Sequence, residues 1–410
     1  MRRFDYSWTI LTVGFVVLFF SGGSRFAFGL MLKPMTEDLG WSRSQLSLAV
    51  TTFLVVSALA LPLVGRLVDR FSLKWILAGG ALLGGVGIGL MGRVSAPWQV
   101  FVLYGLVYAI GTAGTHIAPV GVMISRWFVR RRGIANSAAI SGQAIGQLVI
   151  ITVLASTLTS VGWRVSFALL GAAYAGVVVP LVLATVRSSP QAQPGEQEKH
   201  YSADRCRPAN PEISLDAVLR SRQLWLLVVV YGICGFQDFF MATHMVAFAR
   251  DQGVGSVLAG NMLALMGLMG LIGVLSSGML ADAFGAGRPT VLCFLMRTGV
   301  FALILAFQDT AGIVAFALLY GFTFLITAPL TVVFVGNIFG SARLGTVSGL
   351  LNMVHQISGG LGAFVGAFIF DQSGSYDGAF ALMLGLAILA IPTTLMVREK
   401  PLAQVAAQAS

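Results

Sequence analysis

Gly65-Arg66-Leu67-Val68-Asp69-Arg70-Phe71 closes one long apolar run, and Gly278-Met279-Leu280-Ala281-Asp282-Ala283-Phe284 closes another in the second half of the chain. Both read Gly-x-x-x-Asp with Phe two residues on. A second motif is also written twice. Arg132-Gly133 and Arg343-Leu344-Gly345 each open an apolar run in which small residues recur every three or four positions. Such spacing lets helices approach closely in lipid, where no hydrophobic force drives them together. Two motifs repeated in the same order mark a duplicated chain, with two like halves around a central interruption.

Composition says what the halves are made of. Of 410 residues, 57% are hydrophobic and 10% charged, whereas a soluble domain carries about a quarter of its residues as charge. Crossing roughly 30 Å of hydrocarbon takes about 20 apolar residues in a helix that satisfies its own backbone hydrogen bonds. Runs of that length lie near 8–32, 43–66, 73–93, 98–124, 133–160 and 163–186, and they resume near 223–249, 257–281, 289–308, 311–336, 344–370 and 375–397. The expected fold is an all-α membrane protein of twelve transmembrane helices in two pseudo-symmetric six-helix bundles.

Residues 187–222 hold Ser188-Ser189-Pro190, further prolines, and charged or amide side chains with almost nothing apolar before Ile213. A segment of that kind cannot bury enough surface to fold compactly. It reads as a cytoplasmic linker ending in a short interfacial helix between Ile213 and Arg222. The expected domains are an N-terminal bundle over 1–186, a C-terminal bundle over 223–400, and a cytoplasmic tail over 401–410.

The net charge of +10 reports topology and implies no nucleic-acid partner. Arg2, Arg3, Arg66, Arg70, Lys74, Arg126, Arg130, Arg131, Arg132 and most later basic residues fall on the side of the N-terminus, against Lys33, Arg43, Arg93, Arg164 and Arg250 opposite. By the positive-inside rule both termini are cytoplasmic, as expected of a monomer in a bacterial inner membrane. The first run is too long for a signal peptide and lacks a small-residue cleavage site before Lys33-Pro34. Cys206, Cys234 and Cys293 have no paired spacing, so neither a disulfide framework nor a metal is implied, and no cofactor is expected.

Gly65-x-x-x-Asp69-Arg70-Phe71-x-x-Lys74 resembles the loop signature of the major facilitator superfamily, with Asp282 and Arg288 as its degenerate second copy. Lys33-Pro34 before Gly40-Trp41-Ser42-Arg43, Arg126-Trp127-Phe128 with Arg131-Arg132-Gly133, and Asp371-x-x-Gly374-x-Tyr376 resemble the monocarboxylate transporters and their bacterial oxalate/formate exchanger relatives. The resemblance implies a gate at Asp69, Arg70, Arg126 and Asp282, in which Asp69 caps a neighbouring helix terminus; the bland reading of the arginines is topology alone. It also implies an arginine on the eighth helix, where this chain has Val274.

An ionisable group in the bilayer core costs at least a few kcal/mol and needs a partner or a use. The interior set is Arg25, His116, Asp238, His244, Arg297 and His355, while Glu37, Glu196, Glu198, Glu212 and Glu399 fall in expected loops or tails. The net positive interior favours an anion, because guanidinium binds carboxylate through paired, charge-assisted hydrogen bonds. His355 lies about ten residues into its run, roughly 15 Å along the axis and near the midplane, and follows Gly345 as Gln143 follows Gly133 in the first half. By resemblance, His355 stands where the exchangers carry a substrate-binding lysine. Asn352 and Gln356 are its neighbours. Arg25 sits in Gly22-Gly23-Ser24-Arg25-Phe26, where it either binds substrate or snorkels outward; the functional lysine of the animal transporters falls opposite Phe26. His116 and Thr115 sit in a glycine- and proline-rich stretch, Gly111 to Pro119, whose loosened backbone suits cavity liners. His244 matches a Thr-His pair of the bacterial relatives, available for carboxylate or proton. Asp238 is either a proton site or the partner of an arginine, and Arg297 is assigned a structural buried charge.

The expected function is secondary transport of a small organic anion, a monocarboxylate first, by proton symport with alternating access; His244, Asp238 and His355 are the candidate proton carriers. Anion exchange of the oxalate/formate kind is the alternative, with drug/proton antiport behind it, since Gly142-Gln143-Ala144-Ile145-Gly146 lacks the Gly-Pro pair typical of antiporters. Neither a His-Glu-x-x-His nor a phosphate-binding Gly-x-x-x-x-Gly-Lys loop occurs, so neither an enzyme nor a nucleotide-driven pump is indicated.

Overall fold

The computed structural model describes residues 6–41, 43–128, 131–187, 214–340 and 342–399. Twelve helices among them are long and apolar enough to cross a membrane. The first six are α1 (Tyr6–Met31), α2 (Ala49–Arg70), α3 (Leu73–Arg93), α4 (Pro97–Trp127), α5 (Arg132–Leu158) and α6 (Ser160–Thr185). The second six are α7 (Arg222–Asp251), α8 (Asn261–Phe284), α9 (Gly287–Ala306), α10 (Thr310–Phe339), α11 (Leu344–Phe370) and α12 (Asp377–Leu395). A short helix, Leu215–Arg220, precedes α7 and is capped by the Ser214 hydroxyl. Most of the expected linker, Cys206 and the 401–410 tail lie outside the described residues.

Three helices are not continuous rods. α1 breaks at Phe26, and a second helix, Ala27–Leu39, carries the chain through Pro34. Glu37, expected in a loop, therefore lies within a helix. In the middle of α4 the helix stops at Gly114 and restarts at Ile117, so Thr115 and His116 form a joint. α10 breaks likewise between Phe324 and Thr327. Irregular backbone at this depth is tolerated where protein or a water-filled cavity meets it.

Within each half the innermost pair packs through glycine. Gly22 of α1 lies against Gln143 of α5, and Gly235 of α7 lies against the His355 carbonyl of α11; a methyl at either position would collide. The two pairs are counterparts under the duplication, so Gln143 and His355 are set at equivalent depths by the same contact.

The halves interlock at the end marked by Asp69 and Asp282. There Gly65 of α2 meets the Gly345 carbonyl of α11, and Gly278 of α8 meets that of Gly133 in α5. Close approach brings each carboxylate onto the first turn of a helix in the opposite half. Asp69 accepts hydrogen bonds from the Gly345 and Thr346 amides at 2.9 and 2.8 Å and from the Thr346 hydroxyl at 2.6 Å. Asp282 accepts from the Gly133 and Ile134 amides at 2.7 and 3.0 Å. A negative charge on a helix N-terminus is worth about 0.3–1 kcal/mol, and up to about 2 when partly buried. Arg126 donates to the Val68 carbonyl at 3.1 Å, whereas Arg70 is exposed. A third carboxylate, Glu399, reaches back to accept from the Ala286 and Gly287 amides at the start of α9 and from the Asn337 side chain.

Candidate functional site

The break in α1 leaves Arg25 as the last residue of its helix. Its guanidinium lies over the Phe53 ring of α2, 5.9 Å from the centroid, and over the Phe239 ring of α7 at 5.6 Å. No described carboxylate pairs with it. Behind it a cavity of about 20 Å³ is lined by Arg25, Ser57, His116 and Gln143 among others, room for about one water-sized group. The joint in α4 turns His116 toward this space. Its Nδ1 is buried and has no hydrogen-bond partner among the described residues. An aromatic column supports the wall: Tyr104 packs 4.3 Å from Phe28 and 5.0 Å from Phe53, and Tyr108 stacks on both Tyr104 and Phe53. The Tyr108 hydroxyl is fixed by Ser24 at 2.8 Å.

The second half answers with a closed polar network. Arg297 of α9 has no exposed surface. It donates to Asp238 at 2.7 Å, to the Gln237 side chain at 3.0 Å, and to the hydroxyl and carbonyl of Thr323 at 3.2 and 3.1 Å. Asp238 also accepts from the Tyr320 hydroxyl at 2.9 Å and the Cys234 thiol at 3.3 Å. His355 Nε2 lies 3.3 Å from Asp238 Oδ2, the oxygen that the Cys234 thiol also reaches, whereas Arg297 and Tyr320 meet Oδ1. Of the two alternatives for Asp238, this geometry contains the arginine partner, with the histidine beside it. His355 keeps 23% of its side chain exposed against 6% for Asp238, so it is the member of this trio that reaches open space. Cys234, Asp238 and His355 bring three ligand-type atoms within 4.8 Å of one another, but a metal cation there would face the Arg297 guanidinium, so the set does not fit one.

Phe239 joins the two poles. Its ring carries Arg25 on one side and meets the His355 ring edge to face at 6.0 Å, and it packs onto Gly359, where a Cβ would strike it. Arg25, His116 and Gln143 thus line a cavity within the first half, and Phe239, with His355 against its ring, meets Arg25 from the second half.

The remaining expected site residues are placed as follows. Thr115 is not a cavity liner: its hydroxyl is buried against the Tyr174 hydroxyl at 2.6 Å and Ser21 at 3.3 Å, on the inner face of α4. His244 is also not free for substrate. Its Nε2 faces the Ala363 carbonyl at 2.8 Å and its Nδ1 the Tyr376 hydroxyl at 3.2 Å, which clasps α7 to α11. Asn352 donates to Ser348 of its own helix. Gln356 is buried beside His355. Val274 is fully buried in apolar packing, so no charge replaces the missing arginine on α8. Tyr104, Tyr108, Gln237, Tyr320, Thr323, Cys234 and Phe239 carry much of the site, and reading the charged residues alone passes over them.

The chain matches the Major Facilitator Superfamily over residues 14–363 and again over 239–409. It is 26% identical over 377 residues to the uncharacterized MFS-type transporter YcxA of Bacillus subtilis, covering 90% of each chain. Monocarboxylate transporter 13 of Bos taurus is 23% identical over 389 residues, which are 92% of this chain and 86% of that protein. Among solved structures, the proton:xylose symporter XylE bound to 6-bromo-6-deoxy-D-glucose superimposes with a TM-score of 0.74 at 16% identity, covering 99% of both chains.

Proposed function

The chain belongs to the Major Facilitator Superfamily, and on that premise we propose that it is a secondary carrier of a small organic anion, a monocarboxylate first, moved with protons by alternating access. One observation carries the reading: Arg297 is matched by Asp238, while Arg25 lines a cavity and no described carboxylate pairs with it. An uncompensated guanidinium in a low-dielectric interior is costly, and a substrate carboxylate supplies the missing charge. The planar fork of Arg25 suits both carboxylate oxygens, and His116 and Gln143 add hydrogen-bonding atoms on the same wall. Likeness to monocarboxylate transporters supports the same class.

The proton belongs to the opposite pole. Protonating His355 completes an ion pair with Asp238 at 3.3 Å and adds positive charge beside the anion, so proton and substrate load together. Asp69 and Asp282, with Arg126 steadying α2, act as latches that hold the cytoplasmic end shut until both release. The excess of basic residues at that end supports cytoplasmic termini in a bacterial inner membrane, and the carrier works as a monomer.

The test is uptake of labelled short carboxylates into proteoliposomes carrying an inward proton gradient. Wild-type protein accumulates the substrate, and Arg25→Gln folds but does not. Equal uptake by both would sink the anion assignment.

A further inference from the structure

Gln356 is only 6% exposed, and neither Nε2 nor Oε1 of its amide has a hydrogen-bond partner among the described residues. Burying a donor and an acceptor unpaired is unfavourable, so native structures seldom keep such groups without a reason. Its position suggests one. Gly345 and Gly349 of α11 meet Gly65 and Leu61 of α2, so the two helices run antiparallel with matched four-residue steps. Gln356 lies on the same face as Gly345, Gly349 and Asn352. Extending the register brings it level with Leu54, between Phe53 and Ser57, two residues of the cavity wall that Arg25 shares.

We propose that Gln356 is a specificity-determining residue of the central site, and that the preferred substrate is a carboxylic acid carrying an amide-type group, a carbamoyl or lactam, at its other end. This rests on the anion reading of Arg25. A carboxylate only accepts, so it leaves Oε1 unpaired; a hydroxyl offers one atom where the amide presents two of opposite character. An amide donates to Oε1 and accepts from Nε2 side by side. Arg25 takes the carboxylate and Gln356 takes the amide, which gives a partner to both polar atoms of the Gln356 side chain at once.

The experiment is calorimetric titration of the purified protein with succinamate and with isocaproate, its close isostere without the amide. Wild-type protein binds succinamate at least about ten-fold tighter. Gln356→Met, similar in length but lacking both polar atoms, brings the ratio to about one, keeps isocaproate binding, and does not lower the melting temperature. A wild-type ratio near one, a ratio preserved in Gln356→Met, or a lowered melting temperature that reveals a structural partner overturns the proposal. Arg25→Gln separates the two readings. If it weakens both acids while the ratio test fails, the anion site stands without Gln356; if wild type binds neither acid, or Arg25→Gln binds them as wild type does, the anion site falls and takes this proposal with it.

Discussion

Arg297 and Arg25 occupy the interiors of the two halves under opposite arrangements. Arg297 is enclosed, its charge met by Asp238 and its remaining donors by Gln237 and Thr323. Arg25 rests on aromatic faces contributed by both halves and borders a cavity. A duplicated fold has thus placed a finished ion pair in one half and an unfinished one in the other. The finished pair holds α7, α9 and α10 as one body and presents His355 from it. On the proposed anion reading, a ligand completes the unfinished pair.

The sharpest way to break this contrast is to unmatch the matched arginine. Arg297→Met leaves Asp238 buried and uncompensated, and we expect about 3–5 kcal/mol of lost stability, whereas Arg297→Met with Asp238→Leu regains most of it. Thermal unfolding in detergent reads both. A double variant as unstable as the single one would mean that the pair is not what holds the network.

Arg25 should behave the other way. Arg25→Gln changes stability by less than about 1 kcal/mol but removes a charge-assisted fork worth about 3 kcal/mol, a fall of about a hundred-fold in substrate affinity. Arg25→Lys restores charge without the fork and recovers only part. If Arg25→Gln unfolds as Arg297→Met does, the contrast disappears.

Protons sharpen the role of the second pole. Uptake is expected to increase about ten-fold from pH 8 to 6 in wild type, and His355→Gln flattens the profile. Uptake indifferent to pH but accelerated by anion inside the vesicle would establish exchange and end the symport proposal. The smallest effects belong to the latches. Asp69→Asn or Asp282→Asn loses about 1–2 kcal/mol of helix capping, which opens the interlocked end about ten-fold more often. Pulsed electron resonance between spin labels on α2 and α11 measures it, and unchanged distances in both variants would assign these carboxylates to topology alone.

Lipid makes some of this legible and hides the rest. The twelve helices stand out because the bilayer imposes a length and forbids charge, and Gly65, Gly133, Gly278 and Gly345 stand out because close approach without a hydrophobic drive needs small residues. Arg25, Asp238, Arg297 and His355 are conspicuous as ionisable residues in apolar runs. Depth along a helix can be counted from sequence, but rotation about its axis cannot. Thr115 and His244 have suitable depths and face their own half. Tyr320, Thr323 and Gln237 escape notice because an uncharged polar side chain interrupts an apolar run too weakly to draw attention, although together they supply hydrogen bonds to the buried Arg297–Asp238 pair.

The unmatched guanidinium has an electrical consequence. Asp238 and Arg297 cancel, so the second half carries no net charge through the membrane field from that pair when the halves rock. No described carboxylate cancels Arg25, so on the proposed anion reading the empty carrier reorients a positive charge that a bound carboxylate cancels. Each elementary charge crossing the whole field is worth about 2.3 kcal/mol per 100 mV, which bounds the effect. On the proposed symport, the proton on His355 restores the charge that the carboxylate cancels, so the loaded and empty carriers cross with the same charge in opposite directions, and membrane potential sets their relative speeds without adding driving force to accumulation.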